Sequence, residues 1–384
     1  MRVIPPVPVT AALLTSSSVS EPSSGEATWA SGTVYKLGDQ VINTTTHRTY
    51  ESQQGAQKVV TMTIASPCIV TWTGHGLAAG TPILFTTTGA LPTGITAGTI
   101  YYVLADTVDT FKVSATIGGA AINTSGSQSG THTATANPNK GHDPTTDDGT
   151  WWVDAGPSNK WAMFDLLRNT GTTATSPIVV VITPGRRIDS VGLVGLIADT
   201  VRVQMSVSGS PVYDETVDLL NRPVVSWYEY FTAEFSYDGE AVLFDLPPET
   251  SAVITVTISR ATGPATCGGL VIGQNAYLGR TLHSAQFEAL NFSKIERDEF
   301  GNTILVQRRS VPRTTQSIRA SKANVPKLLL LIDALNAVPA LWFGIDDQAS
   351  GFFPALLILG VYKRFSIDMD QPEEALITLE LEEN

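Results

Sequence analysis

Long apolar runs are missing from this chain of 384 residues. Stretches such as residues 328–332, LLLLI, fall far short of the ~20 apolar residues a membrane-crossing helix needs, so no membrane insertion is expected. Cysteine is nearly absent. Cys68 and Cys267 cannot build a disulfide framework, and they read as two small buried apolar residues of a protein made in a reducing cytoplasm. Charge is sparse, 16% of residues against a usual ~25%. Its balance of −12 leaves little basic surface for displacing counterions, so no nucleic-acid partner is expected. The five histidines, His47, His75, His132, His142 and His283, stand in no zinc spacing. Phosphate loops, dinucleotide fingerprints and nucleophile elbows are lacking as well. No catalytic residue, metal or cofactor is therefore expected, and the chain is not expected to be an enzyme. The opening MRVIPPVPVTAALL has prolines where an export signal has its apolar helical core.

Glycine, threonine and serine are abundant, and short runs of Val, Ile and Tyr lie between them. That balance suits an all-β, multidomain protein with many turns. Residues 27–53, ATWASGTVYKLGDQVINTTTHRTYESQ, hold Trp29, Tyr35 and Tyr50 among short β-type runs, with Gly38-Asp39 as a turn. Strands this short cannot bury a core alone. Their complement lies far downstream in GHDPTTDDGTWWVDAGPSNKWAMFD, where Trp151, Trp152 and Trp161 crowd together. We read residues 27–58 and 136–165 as one small aromatic β module, interrupted by an inserted β-barrel or roll over residues 59–135. Tyr50 and Trp151 should then be neighbours in space, and the two ends of the insertion should lie close together.

Residues 1–26 read as an arm, because Pro5, Pro6 and Pro8 impose an extended form without strand pairing. Over residues 166–283 several segments alternate cleanly, Val201, Val203, Met205 and Val207 facing one way. No helical stretch interrupts them, which predicts an antiparallel β-sandwich, jelly-roll-like. Residues 284–384 read as a mostly-β region. A turn at residues 298–302 should turn Ile304 and Val306 inward. One helix is expected near residues 325–337, with Asn324 as N-cap and Leu328, Leu331, Ile332 and Leu335 as its apolar stripe.

Trp29, Gly32, Tyr35, Gly38-Asp39, Val41 and Tyr50, with Trp151 or Trp152, resemble the aromatic β modules that bind chitin and cellulose in secreted glycosidases. The pair of segments, with GHDPTT…WW.D.GP.N.WAMFD after a Tyr-Glu-Ser strand, resembles more closely the N-terminal part of tail-tip and baseplate proteins of tailed bacteriophages. That likeness covers roughly the first 165 residues; beyond it only the β character and DEFGNTILVQRR are similar. It implies a structural protein of the virion tail, made in the host bacterial cytoplasm, with other tail or baseplate proteins and copies of itself as partners. Two alternatives stay open: a receptor-binding subunit for host cell-surface glycan, and a carbohydrate-binding accessory of a polysaccharide-degrading enzyme.

Two candidate surfaces follow. Trp29, Tyr35, Trp151 and Trp152 form either a sugar-stacking platform or the core of a small domain. Strand alternation sends Trp151 and Trp152 to opposite faces, so at most one of the pair is core. The loop of His142, Asp143, Asp147 and Asp148 reads as a turn rather than a calcium loop, whose oxygens alternate around a Gly. At the C-terminal end Arg308, Arg309, Arg313 and Arg319 crowd one stretch, and Glu380 and Glu382 stand in an acidic tail. These patches read either as a solvated surface or as faces that meet between subunits, or between this chain and its neighbours, in a ring around the tail axis.

Overall fold

A computed structural model describes the whole chain except residues 54–56, 222–225, 233–235, 284, 298, 301, 348–352 and 370. With 47% of residues in strands and 7% in helices, the protein is all-β. The chain divides into two compact units, one of residues 24–158 and one of residues 1–23 with 159–384.

In the first unit, strands Gln40–Asn43, Arg48–Ser52 and Trp152–Pro157 form one antiparallel sheet, with Arg48–Ser52 in the middle. Trp152 stands opposite Ser52, and the Trp151 carbonyl accepts a hydrogen bond from the Gln53 amide at 2.7 Å. The segments on either side of the intervening residues thus share a sheet, with Tyr50 and Trp151 in one aromatic cluster. Between them six strands close a barrel: Gln57–Met62, Val70–Thr71, Pro82–Thr87, Ile100–Ala105, Thr110–Ser114 and His132–Ala136. Its first and last strands pair, Gln57 opposite Thr135, so entry and exit lie side by side. Phe85, Phe111, Ile83 and Val103 fill its interior.

In the second unit a five-stranded sheet runs in the order Ser210–Asp218, Thr200–Val207, Ala252–Ser259, Ile178–Ile182, Leu14–Ser17. It packs against a three-stranded sheet of Glu240–Leu243, Ser190–Val194 and Gly269–Gly273 through Val203, Met205, Ile254, Val191, Leu193 and Ile272. The opposite face of that small sheet, through Val194, Val242 and Val271, meets Ile4, Leu341, Phe343 and Leu359 of a third layer. This third layer is an eight-stranded antiparallel sheet, and its longest members are Ser310–Ser321, Leu357–Asp368 and Glu374–Glu383. Helix Val325–Ala334 lies on it through Leu328 and Ile332.

Several expectations change. The arm is woven into the body: Arg2–Ile4 pairs between Ala276–Tyr277 and Ala340–Phe343, and Leu14–Ser17 forms an edge strand. The prolines occupy the stretch between those pairings, and strands of three or four residues carry no readable period. Trp161 and Met163 leave the aromatic module. Met163 is buried in the sandwich core, and the Trp161 indole donates to Glu21 at 3.0 Å. A short helix, Trp227–Thr232, interrupts the sandwich strands. Asn324 caps nothing with its side chain, because residues 322–324 already turn as a 3-10 helix leading into Val325. The expected turn partly falls on Asp298 and Gly301, outside the described residues. Its flanking strands Lys294–Arg297 and Thr303–Val306 do pair, yet Ile304 and Val306 are exposed, since among the described residues no third strand covers this ribbon.

Gly360 sits where the Ala340–Phe343 and Glu374–Glu383 strands flank it, and an added Cβ would collide with the Glu382 carbonyl. Its own carbonyl accepts the Trp342 indole N–H at 3.0 Å. Gly360→Ala is expected to cost ~1–3 kcal/mol through overpacking. A lowered denaturant midpoint with unchanged slope is the check; an unchanged midpoint contradicts it.

Candidate functional site

The aromatic module is built inward from Tyr35, Val41, Tyr50 and Trp152. Tyr35 and Trp152 meet edge to face, with ring centroids 5.3 Å apart. Each also satisfies its polar atom: the Trp152 indole donates to the His142 carbonyl at 2.8 Å, and the Tyr35 hydroxyl accepts from the Ala30 amide at 2.7 Å. Asn139, fully buried, ties the two halves together. Its Oδ1 accepts from the Tyr35 amide at 3.0 Å and its Nδ2 donates to Ser52 Oγ at 2.7 Å.

This geometry corrects the platform reading. Tyr35 and Trp152 are core residues, so no sugar ring can stack on them. Trp29 and Trp151 are half-buried. Trp151 precedes the strand rather than lying in it, so alternation does not place its indole, which packs against the same core and stacks on His142 at 4.2 Å. The acidic loop holds the strand start in place. Asp147 Oδ2 accepts from the amides of Gly149, Trp151 and Trp152 at 2.9–3.0 Å, and Asp143 and Asp148 accept from Thr145 and Thr150. Hydrogen bonds from Thr150 pull the Asp148 carboxyl below its usual range. Among the described residues no cluster of three or more His, Cys, Asp or Glu is placed to hold a metal.

The charged strands at the C-terminal end also differ from expectation. Strands Ser310–Ser321 and Glu374–Glu383 are hydrogen-bonded neighbours within one chain, and the cations meet the acids there. Arg313 binds Glu380 at 2.7 Å, Arg319 binds Glu374 at 3.3 Å, and Lys363 binds Glu382 at 3.2 Å. Arg309 pairs with Glu383. The patches therefore neutralise each other inside the monomer and are not left over for a subunit interface. Arg308 differs: among the described residues its guanidinium has no ion-pair partner. The pairs exposed on both sides, such as Arg319–Glu374, contribute little each, ~0–1 kcal/mol.

A second charged cluster leaves no mark in the linear sequence, and its two carboxylates are buried. Arg168 binds Glu240 and Glu383, both at 2.9 Å. Burial outweighs the attraction of Arg168 and pushes the Glu240 carboxyl up to about 7. Its Oε2 has no hydrogen-bond partner. Both cysteines are buried and unpaired, and burial drives the Cys267 thiol up to about 12.

Comparison of the chain with protein families, with curated proteins and with solved structures returned no match.

Two predictions arise here. Trp152→Ala should cost ~3–5 kcal/mol by emptying the module's core. Trp151→Ala should cost less, about 1–2 kcal/mol, because this half-buried ring packs against the core and His142 without filling the core. Equal losses in thermal unfolding would contradict this assignment. For Glu240, the unfolded carboxyl releases its proton near 4.5 and the folded one near 7, so the folded chain binds more protons between them. Its contribution to stability is full below about pH 4.5 and is lost as pH rises through about 7. Glu240→Gln should flatten that fall, which is on the order of 3 kcal/mol. Denaturation across this range checks it, and parallel curves for the two proteins refute it.

Proposed function

We propose that this chain is a structural subunit of a bacteriophage tail tip or baseplate, made in the host cytoplasm and carried in the virion tail. It assembles there with copies of itself and with other tail proteins, and supports host attachment. The observation behind this reading is where its large apolar side chains stand. Among the described residues, strands Lys294–Arg297 and Thr303–Val306 pair only with each other, and all eight of their residues are exposed. Phe300 is 89% exposed, Leu305 71% and Ile295 69%. A two-stranded ribbon is marginal in water, and apolar patches of this kind mark surfaces that another protein covers. A subunit whose ribbon is completed only in an assembly fits this pattern. The glycan-receptor and enzyme-accessory readings rest on the aromatic platform, which keeps only Trp29 and Trp151 within reach of a ligand.

Ile295→Lys with Leu305→Lys tests the reading. These side chains touch little in the monomer, so its stability should move by no more than about 0.5 kcal/mol. In a phage carrying the variant the chain should be missing from purified tails. Normal incorporation overturns the proposal.

A further inference from the structure

The five-stranded sheet has two unlike ends. At one, Thr200, Ser259 and Asp218 stand abreast in the ladder. The chain runs on from Asp218 into the short ribbon of Leu220–Asn221 with Ser236–Tyr237, and helix Trp227–Thr232 lies between its two strands. Trp227 is 82% exposed, Tyr228 76% and Phe231 75%. Near these aromatics in the chain stand Glu215 and Asp218 at the end of the edge strand, Glu229 on the helix, and Asp238 just after the ribbon. This end is acidic and aromatic.

At the other end the ladder closes at Val207, Ala252 and Ser210, and Ile182 leads into the loop of Arg186 and Arg187. Here lies a cleft of about 380 Å³ whose walls include Arg186, Arg187 and Lys327, with Pro5, Val7 and Leu331 as apolar surface. Among the described residues none of these three cations has an ion-pair partner. The neighbouring acid, Asp189, is occupied by Ser190 Oγ and by both the backbone and side-chain amides of Asn275. In a chain of net charge −12, three cations without counterions around one partly apolar cleft form a complement to an acidic, aromatic segment.

The chain carries such a segment, but out of its own reach. Eight residues of strand, about 25 Å, separate the two ends of the sheet. We propose that the acidic aromatic helix of one copy docks into the Arg186–Arg187–Lys327 cleft of the next copy. The contact is head to tail, so it closes into a ring or extends as a filament. Tyr and Trp rings beside guanidinium groups add cation–π attraction to the charge pairing. The proposal rests on reading the chain as an assembly protein, and it names the surfaces through which copies join.

Light scattering and sedimentation of the purified full chain test it. The wild type should associate with concentration, and added salt should weaken that association by screening. Arg186→Glu with Arg187→Glu, and separately Trp227→Ala with Phe231→Ala, should each weaken it about tenfold or more. Unchanged circular dichroism and melting show that each variant still folds. Mixed in equal amounts, the two variants should form a heterodimer and nothing larger, since one intact helix and one intact cleft remain. A monomeric wild type overturns the proposal. So does a cleft variant that associates like the wild type, or a mixture that stays monomeric. Tail incorporation is scored apart. A cleft variant that oligomerises poorly but enters tails normally leaves the virion reading intact and removes this contact from it. A purified oligomer lost in the cleft variant supports the contact even if the chain is absent from tails.

Discussion

The second unit depends on a small sheet buried on both faces. Strands Ser190–Val194 and Gly269–Gly273 are buried at every position, with the sandwich partner on one side and the eight-stranded sheet on the other. A strand covered on both faces cannot alternate polar and apolar residues, and SVGLV and GLVIG do not. Glycine sets how close the third layer can come. A Cβ at Gly192 would collide with the Leu341 side chain, so that side chain rests directly on the backbone of the middle sheet. Interiors packed this tightly leave no slack for an added methyl group.

The aromatic module holds together by a different means. It is too small to rely on apolar area alone. It combines one fully buried indole, one edge-to-face ring pair and one buried amide that joins residues distant in sequence. Asn139 satisfies a backbone amide and a serine hydroxyl in a site that excludes water. Losing it would leave both of those partners unpaired. Asp147 does similar work at the surface by gathering three backbone amides where the Trp152–Pro157 strand begins.

What the sequence disclosed follows from which interactions are periodic. Clean alternation in residues 200–207 and 252–259 placed Val203, Met205, Ile254 and Val256 in a core, where they lie. Alternation failed for Trp151 and Trp152, because the strand begins only at Trp152 and Trp151 packs against the same core. Arg2–Ile4 was hidden, since three residues make no pattern, and their partners lie some 270 and 340 positions away. The Arg168 cluster was hidden for a related reason: a lone arginine has no local signature, and its partners Glu240 and Glu383 come from other strands. Charge runs misled in the other direction. Arg313 and Glu380 look like opposed patches in a linear reading, yet antiparallel pairing sets them side by side.

That internal pairing changes where an interface has to be sought. Charges that already meet within the monomer have partners, so recruiting them to a second surface would mean breaking contacts to make others. Charges still facing water without a counterion carry no such cost. In this chain they include Arg308, at the base of the exposed ribbon, and Arg186, Arg187 and Lys327 around the cleft. Both places lie beside exposed or half-exposed apolar side chains, Phe292 near Arg308 and Leu331 near Lys327. Apolar area supplies most of the free energy of association, while unpaired charge selects orientation and partner. The surfaces that combine the two are therefore the ones that the proposed assembly would use.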